Sequence, residues 1–212
     1  MRLYSYWRSL ATYRVRITLN LKGLAVEDAY VDVLGGEQHG EYRRINPMGA
    51  VPALVVPGPD GDVVLTQSLA ILEWLEEAHP APPLLPAGAL ARARVRVLCA
   101  MTAADTHPLV VPRVQSVLEA HGLDEAQRMA WNAHWFRLGL GAYEGQVGPG
   151  PFVAGDAPGM ADACLASHVA GAERFGVDMQ PFPNVRRIHD ACMAMPEFSS
   201  AHPLRQPGAP KP

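Results

Sequence analysis

Arg8, Ser9 and Thr12 fall in the segment Trp7-Arg8-Ser9-Leu10-Ala11-Thr12, immediately before a stretch of helical periodicity. The first turn of a helix carries backbone N–H groups without intrahelical acceptors, and the macrodipole adds partial positive charge there, so an anion is favoured. A hydroxyl from Ser9 or Thr12 would donate to a thiolate, and the Arg8 cation would lower the thiol's pKa further. The same residues also read as an N-cap hydroxyl beside a solvated arginine. A second segment, Asn46-Pro47-Met48-Gly49-Ala50-Val51-Pro52-Ala53-Leu54, precedes an apolar run. With a cis Val51-Pro52 bond the chain would turn sharply and offer the Val51 backbone to an extended peptide; with a trans bond, Pro52 simply opens a strand. The third segment, Thr66-Gln67-Ser68, gathers a hydroxyl, a side-chain amide and free N–H groups at a helix start. Such a set holds a carboxylate without a metal, and taken alone Ser68 is an N-cap.

The elements that must position these groups follow from hydrophobic period and breakers. Leu3, Tyr4, Tyr6 and Trp7 suit a strand, and Tyr13 to Lys22 carries apolar residues at helical spacing until Gly23 stops it. Val26 to Val33 reads as a second strand, parallel to the first in a β-α-β unit. A polar loop with Gly35 and Gly36 leads to Ala53–Val56 and Val63–Leu65, joined by turn residues Pro57-Gly58-Pro59-Asp60-Gly61 as a hairpin. Ser68 to Ala78 is helical, and the prolines of His79–Pro86 end it and form a linker. Beyond the linker, Ala91–Glu119, Asp124–Gln146, Ala161–Ala172 and Val185–Met195 are predicted helices, and no segment alternates as a strand. The expected organisation is therefore an α/β domain over residues 1–80 and an all-helical domain over 88–212, with a frayed tail at Gln206–Pro212. No internal repeat is present.

Composition narrows the function class. The 212 residues are 49% hydrophobic and 18% charged, which supports a buried core, and the formal net charge of -3 argues against a nucleic-acid partner. No run is long and apolar enough for a membrane span and the N-terminus lacks an apolar signal core, so a cytoplasmic protein is expected. Cys99, Cys164 and Cys192 are widely spaced and match no metal-ligand or C-x-x-C pattern; they read as reduced, buried thiols, and no metal is expected.

Placed in order, these segments resemble the glutathione transferase superfamily, and specifically its zeta class. The resemblance is carried by Trp7-Arg8-Ser9-Leu10-Ala11-Thr12-Tyr13-Arg14-Val15-Arg16-Ile17, by Asn46 to Pro52, by Thr66-Gln67-Ser68-Leu69-Ala70-Ile71, and by Ala172-Glu173-Arg174-Phe175-Gly176-Val177-Asp178 with Pro181-Phe182-Pro183. It implies a thioredoxin-like βαβαββα domain followed by a helical domain, glutathione as cofactor, and a homodimer. It also implies isomerisation of a small cis-unsaturated dicarboxylate such as maleylacetoacetate or maleylpyruvate, by thiolate addition, bond rotation and elimination. In that pattern Ser9, Arg8 and Thr12 serve catalysis. Val51, with Pro52, pairs with the cysteinyl backbone, Gln67 and Ser68 hold the γ-glutamyl end, and Gln38, His107 and Arg113 meet the glycyl end or line the cleft. Arg8 and Arg174 take the substrate carboxylates, a task suited to arginine's planar fork.

Two positions depart from the family pattern. Leu10 and Ala11 stand where it commonly has a second serine and a cysteine, which removes cysteine chemistry from the loop and leaves Ser9, with Thr12 behind it, as the hydroxyl candidate. Gly159 replaces the usual Ser or Thr three residues before Asp162, and Asp162 reads as structural. Conjugation of electrophilic small molecules, or glutathione binding without catalysis, are the alternative functions.

Overall fold

The computed structural model describes residues 1–210, which form two compact units. The first unit holds residues 1–84 together with the C-terminal segment from Met195 onward, and the second spans Leu85–Ala194.

The first unit is built on a four-stranded sheet of order β2-β1-β3-β4, with β1 at Arg2–Ser5, β2 at Glu27–Tyr30, β3 at Ala53–Gly58 and β4 at Gly61–Thr66. β1 and β2 are parallel, joined through helix α1 at Leu10–Leu21, as the β-α-β reading requires. β3 runs antiparallel to β1 with Leu54 opposite Leu3, and β3 and β4 form the expected hairpin. Helix α2 spans Ser68–Ala78, the bounds read from its leucine spacing. α1 is buried on nearly every side: Tyr13, Val15 and Ile17 are fully inaccessible, and Gly23, at φ 66°, terminates the helix where a side chain would be strained.

The expected thioredoxin-like βαβαββα order is present with its second helical position shortened, and one boundary is corrected. Between β2 and β3 the chain makes only two short 3-10 turns, Glu37–His39 and Glu41–Arg44, because Gly36 (φ 89°) and Gly40 interrupt any longer helix. The boundary of the helical domain also moves, since the segment from Met195 packs on α1. Asn20 Nδ2 donates to Glu197 O at 2.9 Å, Tyr13 and His202 rings meet edge-on, and the Phe198 ring is fully buried. Gln206 Nε2 donates to Ser200 O and His202 O, so the start of the expected frayed tail is tied down; Lys211 and Pro212 lie outside the described residues. A buried ion pair locks the start of the linker to the same unit. Lys22 Nζ is 2.6 Å from Glu76 Oε2 and also donates to Pro82 O, while Leu84 N–H donates to the same carboxylate.

The second unit is helical: α3 at Ala89–Ala100, α4 at Pro112–Ala120, α5 at Glu125–Glu144, α6 at Met160–Arg174 and α7 at Pro183–Met193. A four-residue helix α8 at Pro196–Ser199 belongs to the C-terminal segment of the first unit. The continuous helix expected over Ala91–Glu119 is broken by a π-helical turn at Met101–Thr106 and a 3-10 turn at His107–Leu109. Pro108 and Pro112 cannot donate to a preceding carbonyl, and the Thr106 hydroxyl instead donates to the carbonyls of Met101 and Thr102. α6 is the central helix, buried almost throughout from Met160 to Ala172. Its start is held by Asp162, whose carboxylate accepts N–H bonds from Gly159 and Val153, both at 2.8 Å, as the structural reading of Asp162 anticipates. Burial pushes the Asp162 carboxyl up to about 6, and the two N–H donors act against that rise. The three cysteines are buried and form no disulfide among the described residues.

Candidate functional site

The first unit brings three of the sequence segments to helix starts or to the sheet end beside them. Ser9 is the N-cap of α1, with extended backbone, and its Oγ accepts the Thr12 N–H at 3.1 Å. A hydroxyl that caps through its oxygen keeps its proton. Ser9 is half-buried and no acceptor for that proton exists among the described residues, so it can be given to an incoming sulfur. The half-buried Arg8 beside it makes no ion pair among the described residues. Thr12 stands differently from its expected role. Its side chain is fully buried beneath the turn and its Oγ1 has no partner, so it contributes a backbone N–H to Ser9 rather than a hydroxyl to a ligand.

The loop before β3 is shaped from both sides. Asn46 Nδ2 donates to Ala50 O at 2.6 Å, the Tyr42 hydroxyl donates to the same carbonyl at 2.8 Å, and Met48 N–H donates to Asn46 Oδ1. Gly49 is required for two reasons: its φ is 58°, and a Cβ there would lie 2.8 Å from the Gln38 carbonyl oxygen. This close approach sets the Gln38 turn against the loop. Gln38 is half-buried, its Nε2 lies 3.0 Å from His39 Nε2, and its Oε1 is buried without a partner. The Val51–Pro52 bond is cis. The Ala50 carbonyl is thus taken twice, while neither backbone group of half-buried Val51 is bonded among the described residues.

At α2 the N-cap residue is Gln67, at φ 66° and ψ 113°, the one non-glycine with positive φ among the described residues. A side chain held there costs roughly 1–3 kcal/mol, which marks a conformation kept for position rather than ease. Its side chain does not cap the helix, so the first N–H groups of α2 stay open. Ser68 is 6% exposed and its Oγ accepts from Arg14 Nε at 2.8 Å.

The helical unit carries the other three candidates. His107 is half-buried in the 3-10 turn that follows the π-helical segment. Arg113 is exposed in the first turn of α4. Arg174 is exposed at the C-terminus of α6, its guanidinium 5.8 Å from the Phe175 ring centre, and Phe175 stacks on Phe136. Sequence reasoning missed the supports. Arg14 bonds Ser68, and Tyr42 and Asn46 hold the Ala50 carbonyl next to Val51; the available signal was the charged Arg14, between Tyr13 and Val15 in a helix that buries most of its residues.

The first unit therefore offers an unpaired backbone strip at Val51, an uncapped helix start with a hydroxyl at Ser68, and a hydroxyl beside a cation at Ser9. That set fits γ-glutamyl-cysteinyl-glycine: main chain for the cysteinyl residue, donors for the terminal carboxylate and a proton donor for the sulfur. No group of His, Cys, Asp and Glu side chains suited to a metal ion occurs among the described residues. A thioredoxin-like unit with this site, followed by a helical unit, defines a glutathione transferase. Residues 3–83 match the glutathione S-transferase N-terminal domain family. The chain is 44% identical to the maleylacetoacetate isomerase of Pseudomonas aeruginosa over 99% of both chains. Its structure superposes on a zeta-class bacterial maleylpyruvate isomerase with a TM-score of 0.93 at 41% identity, covering 99% of this chain and 100% of the other. The same score, at 45% identity and full coverage of both chains, relates it to a maleylacetoacetate isomerase from Methylobacterium extorquens solved with malonate and glutathione bound. The chain belongs to the zeta-class glutathione transferase family of maleylacetoacetate and maleylpyruvate isomerases.

Proposed function

We propose that this chain isomerises a small cis-unsaturated dicarboxylate, maleylacetoacetate or maleylpyruvate, to its trans form with glutathione as cofactor. The observation that carries the reading is the start of α1, where the Ser9 hydroxyl proton is unspent beside the unpaired Arg8. Glutathione, when bound, supplies the thiolate that adds to the double bond and leaves again after rotation about the resulting single bond. The protein's share is electrostatic. Ser9 donates its hydroxyl proton to the sulfur, and the open N–H groups of α1 add their dipole. Arg8 pairs with one substrate carboxylate, and Arg174 takes the second on the strength of the family pattern. Val51 binds the cysteinyl main chain, and Gln67 and Ser68 bind the γ-glutamyl end. Gln38, His107 and Arg113 serve the glycyl end or the cleft wall. Glutathione and three cysteines outside any disulfide suit a reducing compartment, so the cytoplasm is the proposed location, and a homodimer the proposed assembly.

The test is to incubate the protein with each acid, with and without glutathione, and follow the ultraviolet absorbance. Turnover of at least one acid only when glutathione is present is expected. Equal rates without the thiol would remove the cofactor role, and no turnover of either acid would point to conjugation of other electrophiles.

A further inference from the structure

Arg14 is among the largest fully buried side chains of the protein, 1% exposed, in the middle of α1. A guanidinium keeps its charge inside a protein, so its burial demands acceptors. Its Nε–H donates to Ser68 Oγ at 2.8 Å, joining α1 to the first residue of α2. A serine hydroxyl has one proton and two lone pairs, and here one lone pair is committed to Arg14. No acceptor for the Ser68 proton exists among the described residues. That proton is therefore turned away from the guanidinium. The first N–H groups of α2 are uncapped as well.

The geometry points to Arg14 as a positioning residue for glutathione: it fixes the Ser68 hydroxyl as a donor to the α-carboxylate of the γ-glutamyl group, and its buried charge reinforces the open start of α2. This rests on the glutathione reading above and names the residue through which the chain recognises one carboxylate of that ligand. The arrangement does not follow from burying any arginine on this helix. Arg16, two positions on and so on another face, donates through Nη2 to Ser5 Oγ at 2.9 Å, on β1 and not on α2.

The experiment compares glutathione with 4-aminobutyryl-cysteinyl-glycine, which lacks only that carboxylate, by calorimetric binding to the full-length enzyme and to Arg14→Lys, Arg14→Met, Ser68→Ala and the Arg14→Met/Ser68→Ala pair. The unmodified enzyme should prefer glutathione by about ten- to a hundred-fold, the range of a hydrogen bond to a charged group. Arg14→Met and Ser68→Ala should each erase about tenfold of that preference, and the pair little more than either alone, because one acts through the other. Arg14→Lys, keeping the charge without the Nε–H, should fall between. For Arg14→Lys and Arg14→Met, kcat at saturating glutathione should stay within about twofold of the unmodified value, since the carboxylate is remote from the sulfur; a merely structural role would lower kcat and leave the ligand preference untouched. Folded Arg14 variants with full preference, or equal binding of both peptides by the unmodified enzyme, overturn this inference alone. Failure to bind either peptide overturns the glutathione reading with it. Should the Arg14 variants not fold, the unmodified enzyme decides by NMR: the Arg14 Nε resonance must move on saturation with glutathione and not with the decarboxylated peptide, and a resonance indifferent to both overturns the inference.

Discussion

Three helix starts of the helical unit and the starts of α1 and α2 in the thioredoxin-like unit are treated in opposite ways, while α3 and α4 also begin without a side-chain cap. The three in the helical unit are closed by the chain's own carboxyl oxygens. Asp124 caps α5 in a reciprocal box with Gln127, Asp162 holds α6, and Glu144 accepts from Asn184 and Val185 at the start of α7. In the thioredoxin-like unit α1 is capped by a neutral hydroxyl that keeps its proton, and α2 has no side-chain cap. A carboxylate satisfies the first N–H groups and neutralises the dipole, so nothing further is attracted. A hydroxyl or an open start leaves positive potential for a ligand. The distinction separates three helix ends closed by carboxyl oxygens from the two at which the proposed glutathione site lies, although the same local rule governs both.

Converting one type into the other should break the contrast most sharply at Ser9. Ser9→Asp keeps a good N-cap, so stability to urea should change by no more than about 1 kcal/mol. Its charge would occupy the place of the sulfur anion, and kcat should fall by roughly a hundredfold to a thousandfold, the scale for losing a donor to developing charge. A variant within tenfold of the unmodified rate would show that the Ser9 hydroxyl does not face the thiol.

The reverse change, at a closed start, is Asp162→Asn. An amide cannot accept from both Gly159 and Val153 N–H groups, and loss of about 1–3 kcal/mol of stability is expected, with the remaining activity per folded molecule unchanged. The pH dependence carries a sign. The Asp162 carboxyl titrates at about 6 in the folded protein, above the ordinary aspartate value, because of burial. The folded state then binds the proton more tightly than the unfolded chain, and this group's contribution is full below about pH 4 and lost as pH rises through about 6. Urea midpoints should show the variant's deficit larger at pH 4.5 than at pH 7; a deficit independent of pH would mean that Asp162 titrates normally.

The smallest effect separates position from comfort at α2. Gln67→Gly relieves the positive φ and should raise stability by about 1 kcal/mol, a few degrees in Tm, while weakening glutathione binding through loss of the side-chain amide. Gains in both would remove Gln67 from the site.

Much of this was legible locally. α2 begins and ends where its leucine spacing and flanking prolines place it, Gly23 stops α1, and Pro57 to Gly61 turn the hairpin. Ser9 and Ser68 were marked because helix starts leave N–H groups open whatever the surrounding fold. The features that were not legible depend on partners distant in sequence. The second helical position, between β2 and β3, is shortened to 3-10 turns that lie against Gly49, and the C-terminal segment joins the first unit through contacts with Tyr13 and Asn20. Thr12 has the right residue type at the right spacing, yet the turn of α1 carries its side chain inward.

The sequence by itself determined the order of strands and helices, the positions of the breakers and the residue types at each helix start, because these follow from steric and hydrogen-bonding rules that act within a few residues. Only the tertiary structure decided which of those starts remain open. That outcome turns on whether a carboxylate from elsewhere in the chain, such as Glu144 at α7, reaches the orphan N–H groups, or whether a buried cation such as Arg14 comes up behind the hydroxyl instead. Burial and long-range hydrogen bonding set both, and no local period encodes them.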